Sequence, residues 1–193
     1  DLPAKDLPGL VELFRDNPGK YDYGSSGNGG AVHLATELFL KRAGDLKVGH
    51  VPYRGSAAAM PDLLSGRLAM FIDVAAGGLA YHQRGDARAL GVSDDKRLPQ
   101  APEVPTFAEG GVKDAESYTW HMVMAPAGTP EPVVQAANAA FNRIAAMESV
   151  QKRLSDLTMT VRSDTTPRTA AKWMQDEMAK WDEVIRGAGI KID

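Results

Sequence analysis

Along the first ninety residues, apolar positions alternate between steps of three or four and short unbroken runs. Leu10, Leu13 and Phe14 share one face of a helix predicted over Leu7–Arg15, which Asn17-Pro18-Gly19 stops. A short strand at Tyr21–Tyr23 leads into a glycine-rich loop, then into a helix toward Ala43 carrying Leu34, Leu38 and Phe39. Val48–Val51 reads as a strand and Pro52-Tyr53-Arg54-Gly55 as a turn. Ser56 is placed to cap a helix that carries Met60, Leu63 and Leu64 and stops at Gly66. Leu68–Val74 is a near-continuous apolar run, as buried parallel strands are. A helix over about Gly78–Arg84 and a strand over Ala87–Val92 complete the alternation. Strands alternating with helices predict βαβ units and a mostly parallel, doubly wound α/β sheet.

The pattern changes after Ser93. Residues 94–118 are polar and rich in Pro and Gly, and they read as a crossover or hinge between a lobe at 1–93 and a C-terminal part at 119–193. Tyr118–Ala125 is expected as a strand. A long helix with Val133, Val134, Ala137, Phe141 and Ile144 on one stripe follows, then a shorter helix around Ser149–Leu157 and a strand near Met159–Val161. The last predicted helix, Thr166–Arg186, starts at a Thr-Pro cap and carries Trp173, Met174, Met178, Trp181 and Ile185 at helical steps. These stripes offer more apolar surface than one clear strand and a weak second can cover. The expectation is that the missing sheet lies upstream of Asp1 or comes from another chain.

The segment Tyr23-Gly24-Ser25-Ser26-Gly27-Asn28-Gly29-Gly30-Ala31-Val32-His33-Leu34 carries the clearest chemistry. A helix start presents N–H groups without intrahelical partners and roughly half a positive charge. Glycines let that backbone approach a ligand, and Ser25, Ser26 and Asn28 add neutral donors, so a carboxylate or phosphate would be held here. Three enzymatic glycine loops do not match. A P-loop needs Lys then Ser or Thr after its last glycine, where Gly30 and Ala31 stand; the dinucleotide fingerprint would put glycine at Val32. A nucleophile elbow around Ser26 would need glycine at Asn28. Anion binding by backbone and neutral donors survives, beside the plainer reading of a flexible turn.

Composition narrows the classes. The 193 residues are 44% hydrophobic and 24% charged, which suits one or two globular domains. A net charge of −3 without a basic stripe argues against nucleic acid as a partner. The absence of cysteine excludes disulfides and thiolate metal sites. No apolar run approaches the roughly 18–20 residues that cross a bilayer. The chain opens at Asp1 without an initiator Met, as a processed or truncated product would, so a missing leader says little about location.

The order of motifs resembles a known family. Asn17-Pro18-Gly19-Lys20 precedes the glycine loop and His33-Leu34, and His50-Val51-Pro52-Tyr53-Arg54-Gly55-Ser56 follows. Asp62-Leu63-Leu64-Ser65-Gly66-Arg67, Phe71-Ile72-Asp73 and Ala87-Arg88-Ala89-Leu90-Gly91-Val92-Ser93 continue the series. Pro102 through Gly111 and Ala125-Pro126-Ala127-Gly128-Thr129-Pro130 close it. This order resembles the Bug or TctC-like extracytoplasmic receptors of tripartite tricarboxylate transporters, over essentially all 193 residues.

The resemblance implies a periplasmic-binding-protein-like α/β fold: a parallel doubly wound lobe plus an incomplete second lobe, hinged to close on a small organic acid or amino acid. It implies a periplasmic solute-binding protein, not an enzyme, without a cofactor, that serves membrane transporter subunits. Carried over by position, the cradle is Ser25, Ser26, Gly27, Asn28, Gly29 and Gly30, framed by Gly55, Ser56 and Ala57. Asp73 is placed to receive a ligand amine or hydroxyl. Family members commonly have Thr or Ser where Gly30 stands, which leaves its backbone N–H as the donor. The family's opening strand and loop have no counterpart here; Asp1-Leu2-Pro3-Ala4-Lys5 resembles a point already past the first crossover. The implied outcome is weak binding or none by these residues alone, and a possible homodimer through the incomplete lobe with Trp173 or Trp181 in contact.

Plainer roles stand beside these. Asp73 could cap the next helix. Tyr53-Arg54 could meet a second acid group or face solvent. His33, four residues before Glu37, lacks a third metal ligand and reads as a packed or loop-bonding histidine. His50, His82 and His121 show no catalytic spacing with Ser or Asp. Glu109, Asp114 and Glu116 read as a solvated loop. The competing classes are a Rossmann-like enzyme using the loop as an anion site, which lacks an activated nucleophile beside it, and a regulatory module.

Overall fold

The computed structural model describes residues 2–190; Asp1, singled out above as the point past the crossover, lies outside them. Compactness divides the chain into two units, Asp1–Thr119 with Glu183–Asp193, and Trp120–Asp182.

The first unit is built on a parallel sheet. Helix α1 (Leu7–Asp16) starts at Asp6, whose carboxylate accepts the Gly9 N–H at 2.8 Å. Strand β1 (Asp22–Ser25), helix α2 (Ala31–Arg42), strand β2 (Gly49–Pro52), helix α3 (Ser56–Leu64), strand β3 (Met70–Phe71) and helix α4 (Ala75–Arg84) follow in order. The sheet order is β2-β1-β3, with Tyr23 opposite His50 on one side and Met70 on the other. β1 runs outward to β2 and the chain then crosses back to β3. Right-handed crossovers in opposite directions put α2 and α3 on opposite faces of β1.

The core follows from the sequence's apolar face. Leu7, Leu10, Val11 and Phe14 of α1 meet Phe39 and Leu40 of α2, Tyr23 of β1 and Met70 of β3. Phe14 and Tyr23 are fully buried, and sealing a ring of that size is worth about 1.5–3 kcal/mol. Leu13, expected on this face, is only half-buried, because Leu7 and Val11 occupy the inner stripe instead.

Three predicted strands are not strands. At Ala87–Val92 only Val92 pairs, with Thr106. Its partner segment contains Pro102 and Pro105, which have no N–H to extend a ladder. Tyr118–Ala125 and Met159–Val161 have no ladder partner among the described residues, and a strand without one cannot satisfy its backbone. Ser56 is the first residue of α3, not its cap; Gly55 stands at the cap with φ 94°, a region a side chain resists. Glu109, read as solvated, instead accepts from Arg97 Nε at 2.8 Å and from Thr106 N–H at 2.8 Å.

The second unit contains α5 (Glu131–Ala145), α6 (Glu148–Ser155) and most of α7 (Pro167–Gly187). The Thr166 hydroxyl accepts the Thr169 N–H at 3.1 Å and caps α7. Neither α5 nor α6 has a buried residue. Among the described residues of this unit only Glu177 is buried, accepting from Trp181 Nε1 at 3.0 Å. The expected stripe of Val133, Phe141 and Ile144 is therefore present but uncovered. Trp173 packs edge-on against Trp120 with centroids 5.0 Å apart.

Candidate functional site

The carboxyl ends of β1, β2 and β3 each run into a loop and then a helix, so the starts of α2, α3 and α4 share one edge of the sheet. Ligands of open parallel sheets bind at that edge, where strand order reverses, which here is between β1 and β3. The three loops are tied together. Tyr53 N–H donates to Ser25 O at 2.9 Å and Gly55 N–H to Ser26 O at 3.1 Å. Ser56 Oγ donates to Asp73 Oδ1 at 2.7 Å.

No side chain caps α2, α3 or α4. The first intrahelical bond of α2 is Leu34 N–H to Gly30 O at 3.0 Å, which leaves the N–H groups of Ala31, Val32 and His33 without intrahelical partners. In α3 the same holds for Ser56 and Ala57. Two helix ends therefore bring donors and positive dipole to one edge, with no Lys or Arg in the glycine loop before α2.

The glycine loop is arranged differently from the simplest expectation. Ser25 is fully buried, its Oγ 2.6 Å from His50 Nε2 and accepting Gly27 N–H at 3.2 Å. Gly30 donates its N–H to Gly27 O at 3.3 Å, and Gly29 donates to His33 Nδ1 at 2.9 Å. The backbone groups of Gly27, Gly29 and Gly30 thus shape the loop from within. Ser26 is half-buried, and Asn28 and Ala57 are exposed. Gly29 has φ 69°, and Gly27 has φ 145°.

Beneath the loop lies a stack that sequence spacing did not show. The rings of His33 and His50 lie 3.8 Å apart and 15° from parallel, and Tyr23 lies beside the pair, 4.9 Å from His50 and 6.3 Å from His33. Tyr23 donates its hydroxyl to Glu37. Burial and then the Glu37 carboxylate push the Tyr23 phenol up. Burial pushes the His50 imidazole down to about 4, aided by the His33 ring. Burial also lowers His33, against the pull of Glu37. Both rings are therefore neutral near pH 7. The loop-bonding reading of His33 holds, and among the described residues no group of three metal-ligating side chains exists.

The sequence shows no catalytic spacing of His50 with a serine, yet β1 and β2 are paired in register, which sets Ser25 Oγ and His50 Nε2 at 2.6 Å. That spacing suits a nucleophile and its base. Ser25 has no exposed surface, however, so a substrate carbonyl cannot reach it. Asp73 does not cap the next helix: Val74 occupies the cap position of α4, and Asp73 accepts from Ser56 Oγ. Arg54 is exposed to solvent. The signals that could have found the stack are Tyr23 and His50, which occupy paired strand positions, and the i, i+4 pair His33 and Glu37.

Comparison with known proteins agrees with this geometry. The profile of the family described as "Tripartite tricarboxylate transporter family receptor" matches residues 1–190. The UPF0065 protein of the tcbD-tcbE intergenic region of Pseudomonas sp. strain P51 is 38% identical over 186 residues, covering 96% of this chain and 55% of that protein. The structure of R. palustris Rpa4515 with adipate is 32% identical with a TM-score of 0.81, covering 98% of this chain and 63% of that one. The periplasmic binding protein BugD is 29% identical with a TM-score of 0.78, covering 99% and 64%. The chain thus spans just over half the length of that relative and under two thirds of the two structures. A parallel α/β unit with its open helix ends at one sheet edge and a family match over nearly every residue lead to one conclusion: this chain belongs to the tripartite tricarboxylate transporter receptor family.

Proposed function

We propose that this protein is a periplasmic solute-binding receptor that captures a small carboxylate-bearing metabolite for a tripartite tricarboxylate-type transporter. The observation that carries the reading is the pair of uncapped helix starts, α2 and α3, meeting at the carboxyl edge of the parallel sheet. A carboxylate there would be met by the N–H groups of Ala31, Val32, Ser56 and Ala57 and by the side chains of Ser26 and Asn28. Ser25, Gly27, Gly29, Gly30 and Gly55 would hold the loops that present those donors. Each charge-assisted bond contributes roughly 1.5–3 kcal/mol. Neutral donors also spare the empty site a buried unpaired cation.

Asp73 would accept from a ligand amine or hydroxyl while keeping Ser56 in place. Rpa4515, with adipate, supports a dicarboxylate as the first compound to try. No helix among the described residues is long and apolar enough to cross a membrane, so transport itself would fall to membrane subunits of the transporter. A homodimer through the C-terminal part, where the face of α5 is uncovered and with Trp173 or Trp181 in the contact, belongs to the same proposal. Sedimentation as a clean monomer would count against that part.

Thermal unfolding with and without adipate tests the receptor reading. A saturable rise in Tm, without hydrolysis of ester substrates and without labelling by a serine-directed fluorophosphonate, supports it. Ester turnover lost on Ser25→Ala would instead favour an enzyme built on the Ser25–His50 pair.

A further inference from the structure

The stack under the glycine loop ends on an atom the carboxylate site depends on. Gly29 stands two residues before the first turn of α2, and its N–H points at His33 Nδ1, 2.9 Å away. A backbone N–H can only donate, so that ring nitrogen must be the acceptor and the proton sits on Nε2. Glu37 Oε1 lies 3.9 Å from Nε2. The ring is held flat by His50, which β2 supplies and Ser25 of β1 anchors. Three elements thus converge on one side chain that accepts a hydrogen bond from Gly29 of the loop.

We propose that His33 is the positioning residue of the carboxylate site: its unprotonated Nδ1 fixes Gly29, and through it the Ser26–Gly30 loop, in the shape that aims the start of α2 at the ligand. This rests on the receptor reading given above. The chain of contacts runs from Ser25 to His50 to His33 to Gly29, so both paired strands set the loop. The groups facing the His33 ring are Glu37 from its own helix, Tyr23 from β1 and His50 from β2; Glu37 is the carboxylate among them. A proton on Nδ1 would set two donors against each other at 2.9 Å, and the loop would have to leave the ring. The start of α2 would then lose its fixed presentation while the helix itself survived.

The test uses the chain labelled with 15N. In the unmodified protein His33 should carry its proton on Nε2 and leave Nδ1 bare, and the Gly29 amide resonance should follow the protonation of His33. His33→Phe keeps a flat ring and removes the acceptor; Gly29 amide exchange should accelerate at least roughly tenfold and adipate affinity fall roughly fivefold or more. His33→Asn puts an amide oxygen near the place of Nδ1 and should restore both. A proton found on Nδ1, or H33F with Gly29 exchange and adipate affinity unchanged, overturns the proposal. If H33F does not fold, the tautomer and the coupling of Gly29 to the His33 titration decide alone, and an indifferent Gly29 amide overturns it. If the unmodified protein ignores adipate at every concentration, adipate capture by these residues alone fails, while tautomer and exchange still judge the positioning role.

Discussion

Ser56 and Asp73 are seventeen positions apart in sequence and joined by a 2.7 Å hydrogen bond that fastens the first turn of α3 to the loop after β3. Asp73 is thereby a structural acceptor and an anion at the edge where a carboxylate would bind. Gly77 makes room for it, since a Cβ there would lie 2.8 Å from Asp73 Oδ2.

Asp73→Asn keeps an oxygen for Ser56 and removes the charge. Adipate should bind a few-fold more tightly, with the gain shrinking as salt rises. Glutamate, whose ammonium loses its partner, should bind more weakly. Isothermal titration at two salt concentrations reads both; weaker adipate binding would contradict the assignment.

Ser25→Ala leaves His50 Nε2 and Gly27 N–H without their partner in a closed space. The expected loss is about 1–3 kcal/mol of stability, seen as a lower urea midpoint with an unchanged slope. An unchanged midpoint would show that the buried hydroxyl is not needed to hold the loop.

The histidine stack makes stability depend on pH. His50 titrates near 4 in the folded protein and near 6.5 when unfolded, so between those values the unfolded chain binds more protons. Stability is therefore full above about pH 6.5 and is lost as pH falls toward 4, by at most about 3 kcal/mol. His33 shifts in the same direction and adds to the slope. Urea unfolding across this window checks the sign, and His50→Gln should flatten the curve.

Apolar residues of the two units should respond differently to truncation. Phe14 is fully buried and Phe141 is 49% exposed. Phe14→Ala should cost about 3–5 kcal/mol, and Phe141→Ala under about 1 kcal/mol in this chain. A large loss at Phe141 would mean that its face is covered in solution, as a homodimer requires; concentration-dependent unfolding would then identify the partner as a second copy.

Much of this was legible in the sequence for a physical reason. Helical spacing at Leu10 and Phe14 reflects burial, which leaves a periodic trace; of the apolar run Leu68–Val74 only Met70–Phe71 is strand, and Val74 is exposed. The uncovered stripe of α5 was equally visible, because the imbalance between Phe141, Ile144 and available sheet is a matter of composition. What sequence could not supply was the direction of individual hydrogen bonds. The donors of Gly27, Gly29 and Gly30 looked available for a ligand, yet the loop turns them onto Ser25, His33 and itself. Ser25 and His50 meet only because β1 and β2 pair in one register, which no local spacing encodes. The failed strand at Ala87–Val92 has the same origin, since it depended on a partner containing Pro102 and Pro105.

The most direct measurement is an amide-resolved NMR titration of this chain with adipate to roughly millimolar concentrations and above. Saturable shifts are expected at Ala31, Val32, Ser56 and Ala57, with the Gly29 amide still held by His33. Saturable shifts confined to other residues would contradict a carboxylate site at the open ends of α2 and α3.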